Sequence, residues 1–323
     1  MKYKSQSLTA AAAAAAVMAG LLSGGCSAAT GASAPPVEKH DLTVGAVPVA
    51  DSAALYIAQQ RGFFKAAGLH VKIVPVVSAA TAIPGQLAGK YDVVLGNYVS
   101  YVLADAEHGD DFRVLAPGAA EAPGDSVLVV PHGSPIQSVA DLRGKTVAIN
   151  ALNNIGALLV TSMLSDYMMG PKADHITFKA IPFPAMTHAL ITHQVDAAMM
   201  FEPFATEAEM DGAEEVADAD AGSTQNLPIA GYMVTQSWER KYPGTAAAFQ
   251  HALQEGQNIA SASPLAVYKG LETFAKIPAA TAEIISLPSY PLVNNALSLQ
   301  RIPNLMLNLG MLNHGFDADQ MLH

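Results

Sequence analysis

A set of polar residues follows the predicted strands, in the loops where open parallel sheets bind their ligands. The set comprises Asp51, Ser52, Ser78, Asn97, Asn153, Asn154 and Glu202. Carboxylate, hydroxyl and amide groups can hydrogen-bond a small solute, and helix N-termini at the same edge can hold an anion. Each residue also has a local interpretation as a helix cap, a turn residue or a surface residue. Their shared position therefore predicts a binding cleft more strongly than any single residue does.

Recognisable catalytic motifs are missing from the sequence. Gly144-Lys145-Thr146 resembles the end of a phosphate-binding loop, but Val139 stands where that loop requires a glycine. There is no G-x-S-x-G elbow, no H-E-x-x-H pair and no dinucleotide-binding G-x-G-x-x-G. His188 and His193 are spaced so that they do not share a helix face. These absences favour a binding protein without a cofactor or a metal site over an enzyme.

An alternation of strands and helices occurs twice along the chain, which predicts two α/β lobes. In the first half we expect strands at 42–48, 69–77 and 91–95, with helices at 53–67 and 99–108 and another after Ser78. In the second half we expect strands at 145–149, 176–181 and 195–201, with helices at 156–169 and 185–193. Apolar strands at 127–130 and 231–234 are expected to cross between the lobes. The prediction is thus an α/β fold of two mixed, mainly parallel sheets flanked by helices, with lobe 1 at 41–133 and 231–323 and lobe 2 at 134–230.

The N-terminus has the pattern of a secretory signal peptide ending at the sole cysteine. Lys2 and Lys4 precede an apolar run that is too short to span a bilayer, and Ser23-Gly24-Gly25 leads to Cys26. Cys26 is therefore expected to carry a lipid anchor after cleavage, although a secreted protein with a chance cysteine is the alternative. Residues 1–25 are predicted to be a lipoprotein signal peptide and residues 26–40 a flexible tether.

Composition supports a folded, acidic domain, and the predicted signal peptide implies that this domain lies outside the cytoplasm. Hydrophobic residues make up 51% of the chain and charged residues 14%, which is enough apolar surface for a large core. The net charge of -11, without a cluster of lysine and arginine, argues against nucleic acid or anionic lipid as the main partner. We expect a monomer attached to the cell membrane only through its lipid.

Several segments, in order, resemble one family of transport proteins. They are Val44–Pro48 with Ala54–Leu69, Gln86–Val94, Ser138–Val147, Val195–Phe204 and Trp238–Pro243. Together they resemble the nitrate/sulfonate/taurine class of ABC-importer solute-binding proteins, which also includes binders of thiamine-pyrimidine precursors. Phe201 stands where tryptophan is more usual in that class.

The resemblance implies a type II periplasmic-binding-protein-like receptor that closes on a small solute and delivers it to a permease with an ATPase subunit. Closure would be a hinge motion about the two crossing strands. Besides the polar residues above, the resemblance implies apolar pocket walls from Tyr56, Tyr98, Phe183 and Phe201. A pyrimidine-synthesising enzyme of the same fold is an alternative, but its cysteine-rich site has no counterpart where Cys26 is the only thiol. A sensory receptor is a further alternative that the sequence does not separate from transport.

The charged residues in and near the predicted site loops indicate the class of ligand. No arginine falls in the predicted site loops, so an anion such as a sulfonate would depend on helix N-termini and amide groups. Asp51 and Glu202, if both face the cleft, favour a solute with N–H donors or a positive charge. We therefore expect an amine-bearing or heterocyclic solute, such as an aminopyrimidine, in preference to nitrate or a simple sulfonate.

Overall fold

The computed structural model describes residues 36–109, 111–168 and 176–322. Cys26, the signal peptide and most of the predicted tether lie outside these residues. The part of the tether that is described contacts the folded domain, because Glu38 accepts hydrogen bonds from the backbone N–H groups of Gly244 (3.0 Å) and Thr245 (2.8 Å). No helix within the described ranges has both the length and the apolar character that crossing a bilayer requires.

Ten strands form two sheets. They are β1 (Asp41–Ala46), β2 (His70–Pro75), β3 (Val93–Asn97), β4 (Phe112–Ala120), β5 (Ser126–Pro131), β6 (Thr146–Ile149), β7 (Thr177–Ala180), β8 (Ala197–Phe201), β9 (Ala213–Asp218) and β10 (Pro228–Thr235).

The helices of the first part of the chain alternate with the strands. They are α1 (Ala53–Gln60), α2 (Phe63–Ala66), α3 (Ala79–Leu87), α4 (Tyr98–His108), α5 (Ile155–Met168), α6 (Phe183–Ile191) and α7 (Phe204–Met210). After β10 the chain is helical, with α8 (Gln236–Lys241), α9 (Pro243–Ala262), α10 (Pro264–Phe274), α11 (Ala279–Ala282) and α12 (Ala296–Asn308).

The two sheets have the same topology. The first has the order β2-β1-β3-β10-β4 and the second the order β7-β6-β8-β5-β9. Three strands on one side of each sheet are parallel, while β10 and β5 run antiparallel to both of their neighbours. β3, β5 and β8 are buried along their whole length, which explains their nearly continuous apolar sequences. This architecture confirms the predicted pair of mixed, mainly parallel sheets flanked by helices.

Two short connections carry the chain between the sheets. It leaves the first sheet after β4 at Ala120 and enters the second with β5 at Ser126, and it returns between Asp218 of β9 and Pro228 of β10. β5 therefore pairs within the second sheet, whereas the sequence pattern predicts that residues 127–133 belong to lobe 1. The difference arises because an apolar crossing strand can belong to either sheet, and the sequence pattern is the same in both cases.

One long predicted helix is divided in the structure. The helix expected at 53–67 is broken after Gln60 by Gly62, whose φ of 77° lies in the left-handed region. A glycine adopts this conformation without the steric cost that a side chain would impose, so the Arg61-Gly62 pair ends α1 and starts α2.

Candidate functional site

A small cavity lies between the two sheets, at the carboxyl ends of their parallel strands. From the first sheet and its loops it is lined by Val47, Val49, Asp51, Ala79, Leu95, Gly96, Asn97, Ile229 and Ala230. From the second it is lined by Asn150, Ile155, Phe183 and Phe201. Its volume of about 40 Å³ gives room for only a few water molecules. A solute as large as an aromatic ring therefore needs the walls to move apart before it can enter.

Asp51 supplies the carboxyl group of this cavity. It lies in the 3-10 turn Ala50–Ser52, which follows β1 and precedes α1. Its side chain is only 8% exposed, and the hydrogen bond that acts on the carboxylate comes from its own backbone N–H. Burial raises the pKa of Asp51 from 3.8 to about 6. Above about pH 6 the cavity therefore contains an ionised carboxylate without a charged partner among its lining residues.

Two amide side chains face Asp51 from different sheets. Asn97, at the end of β3, accepts a hydrogen bond on its Oδ1 from the backbone N–H of Ser100 (3.0 Å) and thereby caps α4. This bond uses the amide oxygen, so the amide nitrogen is the group of Asn97 that is available to a solute. Asn150, after β6, donates from its Nδ2 to the carbonyl of Val77 (3.1 Å) across the cleft. In this arrangement of the lobes, both amide side chains are therefore held by contacts to the backbone.

Aromatic rings form the wall that the second sheet contributes. The rings of Phe183, at the start of α6, and Phe201, at the end of β8, are 5.7 Å apart and tilted by 59°. Phe183 also stacks on Phe204 of α7, with ring centroids 5.4 Å apart and planes 12° apart. This contact fixes the orientation of Phe183 and leaves an apolar surface for the flat face of a solute.

Four of the predicted site residues, Asp51, Asn97, Phe183 and Phe201, line the cavity. Ser52 and Ser78 lie beside it, but their hydroxyl groups stabilise local structure. Ser52 donates to the carbonyl of Val49 (2.8 Å), and Ser78 accepts from the backbone N–H of Thr81 (3.1 Å) in a capping box at α3. The cap interpretation therefore holds for Ser78, whereas the Ser52 hydroxyl stabilises the turn before α1 and makes no side-chain cap.

The two predicted tyrosine walls point elsewhere. Tyr56 stacks on Phe274 of α10, with ring centroids 4.1 Å apart and nearly parallel planes, on the side of α1 away from the cavity lining. Tyr98 is buried and lies so close to Gly231 of β10 that a side chain at residue 231 would overlap its hydroxyl group. Both rings contribute to packing of the first lobe.

The remaining predicted residues surround the cavity without lining it. Asn153 has a left-handed φ of 56°, is exposed, and accepts a hydrogen bond on its carbonyl from Ser100 Oγ (3.1 Å). Asn154 is fully buried and donates from its Nδ2 to Asn150 Oδ1, which holds the Asn150 side chain in place. Glu202 accepts hydrogen bonds from the backbone N–H (3.1 Å) and hydroxyl (2.7 Å) of Thr206. Burial raises its pKa to about 7.

Hydrogen bonds join the two lobes around the cavity. Besides the bonds from Asn150 and Ser100, the backbone N–H of Ala50 donates to the carbonyl of Glu202 (2.7 Å). Each bond joins a residue of the first lobe to a residue of the second. Together with the small cavity volume, they show that the structure is a closed arrangement of the lobes.

The sequence does not predict the aliphatic part of the lining, although it predicts Phe183 and Phe201. Ile229 and Ala230 enter the site because β10 begins at Pro228, three residues before the predicted crossing strand. Val47, Leu95 and Ile155 are ordinary core-type residues, and their residue types gave no signal of a site. Asn150 directly follows β6 and lines the cavity, whereas the sequence predicts Asn153 and Asn154 as the site residues of this region.

Metal coordination has no support in the described ranges, because no group of three or more His, Cys, Asp or Glu side chains is placed there to hold an ion.

The sequence matches a known protein family and a curated binding protein. Residues 49–266 match the model of a family described as NMT1/THI5 like. The chain is 22% identical over 205 residues to the putative binding protein YtlA of Bacillus subtilis, an alignment covering 64% of this chain and 61% of that relative. The chain thus spans less than two thirds of that relative's length.

Solved structures share the fold at low sequence identity. The ligand-binding component of an ABC-type import system from Staphylococcus aureus has a TM-score of 0.75 at 14% identity, covering 88% of this chain and 97% of that one. The alkanesulfonate-binding protein SsuA of Xanthomonas axonopodis, bound to MOPS, has a TM-score of 0.74 at 17% identity, covering 88% and 99%. The two-sheet fold is therefore that of periplasmic binding proteins. Since the family model covers residues 49–266, which include every strand except β1 and every residue of the cavity lining except Val47, the chain belongs to the NMT1/THI5-like family.

Proposed function

We propose that this protein is the solute-binding component of an ABC importer and that it captures a small organic solute between its lobes without chemical conversion. The observation that carries the proposal is the buried, charge-unpaired carboxylate of Asp51 in an apolar cavity between the two sheets. Leaving a carboxylate in such a place costs free energy, and a bound partner can offset that cost. The shared fold with import-system binding components supports the same function.

The cavity favours a solute that is amine-bearing or heterocyclic, such as an aminopyrimidine. An N–H donor or a positive charge would pair with Asp51, and a flat ring would lie against Phe183 and Phe201. A sulfonate or nitrate would meet the Asp51 carboxylate with no lysine, arginine or histidine among the lining residues. Placing two anions together in a buried site is unfavourable unless one of them is protonated. We therefore assign the sulfonate class second place.

The cellular arrangement is also part of the proposal. The segment ending at Cys26 supports cleavage and attachment of a lipid, which would hold the domain at the outer side of the cell membrane as a monomer. From there it would deliver the solute to a permease and its ATPase subunit. The predicted tether of residues 26–40 would connect the lipid to the folded domain, which it contacts at Glu38, and the lobes would open about the connections 121–125 and 219–227.

A thermal-shift screen of the folded domain tests the proposal. Aminopyrimidines and small amines form one arm, and taurine, alkanesulfonates and nitrate form the other. A solute at a hundred times its Kd adds about 2.7 kcal/mol of stability, which gives a clear shift of the unfolding temperature. We expect responses in the first arm. A response to sulfonates alone would overturn the ligand class, and the absence of a response in both arms would argue against solute capture.

A further inference from the structure

Two acidic side chains lie buried in the connection between β4 and β5, behind the cavity. Glu121 is 0% exposed and Asp125 is 1% exposed. Glu121 Oε2 accepts a hydrogen bond from Ser126 Oγ (2.5 Å), and Asp125 Oδ1 accepts one from the backbone N–H of Ala122 (3.2 Å). Each carboxyl group thus has one oxygen that is satisfied by a neighbouring donor.

The other oxygen of each acid has no donor. Glu121 Oε1 and Asp125 Oδ2 are buried, and no described N–H or O–H group donates to either of them. The two acids lie four residues apart in one connection, and each acts on the protonation of the other. Two ionised carboxylates are both acceptors, so a bond between them requires a proton on one of the two.

Among the described residues, no group that acts on this acid pair, defined as Glu121 and Asp125, supplies a compensating positive charge. Asp51 faces it from the turn before α1, Asp218 from β9, and Tyr290 from the segment before α12. Glu202 approaches through its backbone N–H, which donates to the carbonyl of Asp125 (3.0 Å). The strongest neighbouring charges are all acidic, and with burial they raise the pKa of both members of the pair.

We propose that Glu121 and Asp125 share one proton at neutral pH and so form a proton-holding pair in the connection between the lobes. Each acid accepts one hydrogen bond from a neighbouring donor, so the proton is assigned to the pair rather than to one member. The pair then carries a single negative charge behind Asp51. This charge adds to that of Asp51 and makes the cavity selective for cationic over anionic solutes. This last step rests on the proposed function.

The pair gives stability a definite dependence on pH. In the unfolded chain both acids ionise near their ordinary values, whereas the folded chain retains the proton to higher pH. Stability is therefore lost as the pH rises from the unfolded pKa through the folded pKa. Glu121→Gln replaces one member of the pair by a neutral group that donates a hydrogen bond, so it should remove this loss.

The test measures the proton and its effect on stability without any solute. We expect infrared spectra of the folded protein at about pH 7 to show a protonated carboxyl band that Glu121→Gln lacks. We also expect the Glu121→Gln variant to unfold at a higher temperature than the wild type at about pH 8, with the difference narrowing towards about pH 5. Glu255→Gln, at an exposed position on α9, is the matched control and should change neither result.

Several outcomes would overturn the proposal. One is the absence of any protonated band that depends on Glu121, and another is a stability difference that does not vary with pH. Asp125→Asn provides a second variant if Glu121→Gln does not fold. Failure of both variants to fold at acidic pH, where the pair would be fully protonated, would also contradict it. A positive result followed by sulfonate binding would leave the proton pair intact and overturn only the ligand class.

Discussion

Replacing Asp51 by asparagine should make the solute-free protein more stable while removing its response to solute. The carboxyl group lines the cavity, and burial raises its pKa from 3.8 to about 6. A shift of this size corresponds to about 3 kcal/mol, at about 1.36 kcal/mol for each pKa unit. The side chain is only 8% exposed, so solvent screening removes little of this penalty.

Proton linkage determines the sign of the stability change that Asp51→Asn causes. Below about pH 4 the Asp51 carboxyl is protonated in both the folded and the unfolded chain, so it imposes no penalty there. The penalty grows as the pH rises from about 4 to about 6 and stays constant above that range. Asp51→Asn should therefore exceed the wild type in free energy of unfolding by up to about 3 kcal/mol at pH 8 and by little near pH 4.

Urea unfolding at several pH values measures this difference directly, and a thermal-shift assay with the screened solute measures the loss of binding. Asp211→Asn, at an exposed position after α7, is the matched control and should change stability by less than about 0.5 kcal/mol. The reasoning would be refuted by a stability difference that is independent of pH. It would also be refuted if Asp51→Asn bound the solute as tightly as the wild type.

Three further predictions concern packing, closure and anchoring. A side chain at Gly256 of α9 would overlap the carbonyl oxygen of Ala54 in α1, so Gly256→Ala should destabilise the protein by about 2 kcal/mol. A side chain at Gly270 would have its nearest neighbour at 3.7 Å, so Gly270→Ala should stabilise the protein by up to about 1 kcal/mol. Chemical unfolding of both variants measures these changes, and equal effects of the two substitutions would contradict the prediction. Ser100→Ala removes a hydrogen bond of 3.1 Å between the lobes, so solute affinity should fall about fivefold in a calorimetric titration, and an unchanged affinity would show that this bond does not favour closure. Cys26→Ala should release the protein from the membrane fraction or leave it uncut and unacylated, and wild-type acylation of the variant would contradict the lipid anchor.

The alternation of strands and helices could be predicted because buried parallel strands and amphipathic helices have different hydrophobic periods. The strand of residues 93–97 and the helix that begins at Tyr98 show this, since one is an apolar run and the other has apolar residues at helical spacing. The membership of β5 could not be predicted, because residues 126–131 are buried in either sheet. The hydrophobic period of a strand shows whether the strand is buried, but it does not show which strands pair with it.

The candidate site was predictable only in part, for a different physical reason. Polar residues after strands can cap a helix or face a ligand, and both uses select the same residue types. The hydroxyl of Ser78 caps α3, whereas Asn97 caps α4 with its oxygen and still lines the cavity. The acid pair of Glu121 and Asp125 gave no sequence signal, because its burial depends on how the connection between the two sheets folds.

The most direct test of solute capture is a calorimetric titration of the best solute from the screen against the wild type and against Ala230→Leu. Ala230 lies on β10 in the cavity lining, and a leucine there would occupy much of the roughly 40 Å³ that is open. Ala247→Leu, at an exposed position on α9, is the control. We predict one solute per wild-type chain, recovered chemically unchanged, and a loss of affinity of about a hundredfold or more in Ala230→Leu but not in Ala247→Leu. Wild-type affinity in a folded Ala230→Leu variant, or recovery of an altered solute, would contradict capture in this cavity.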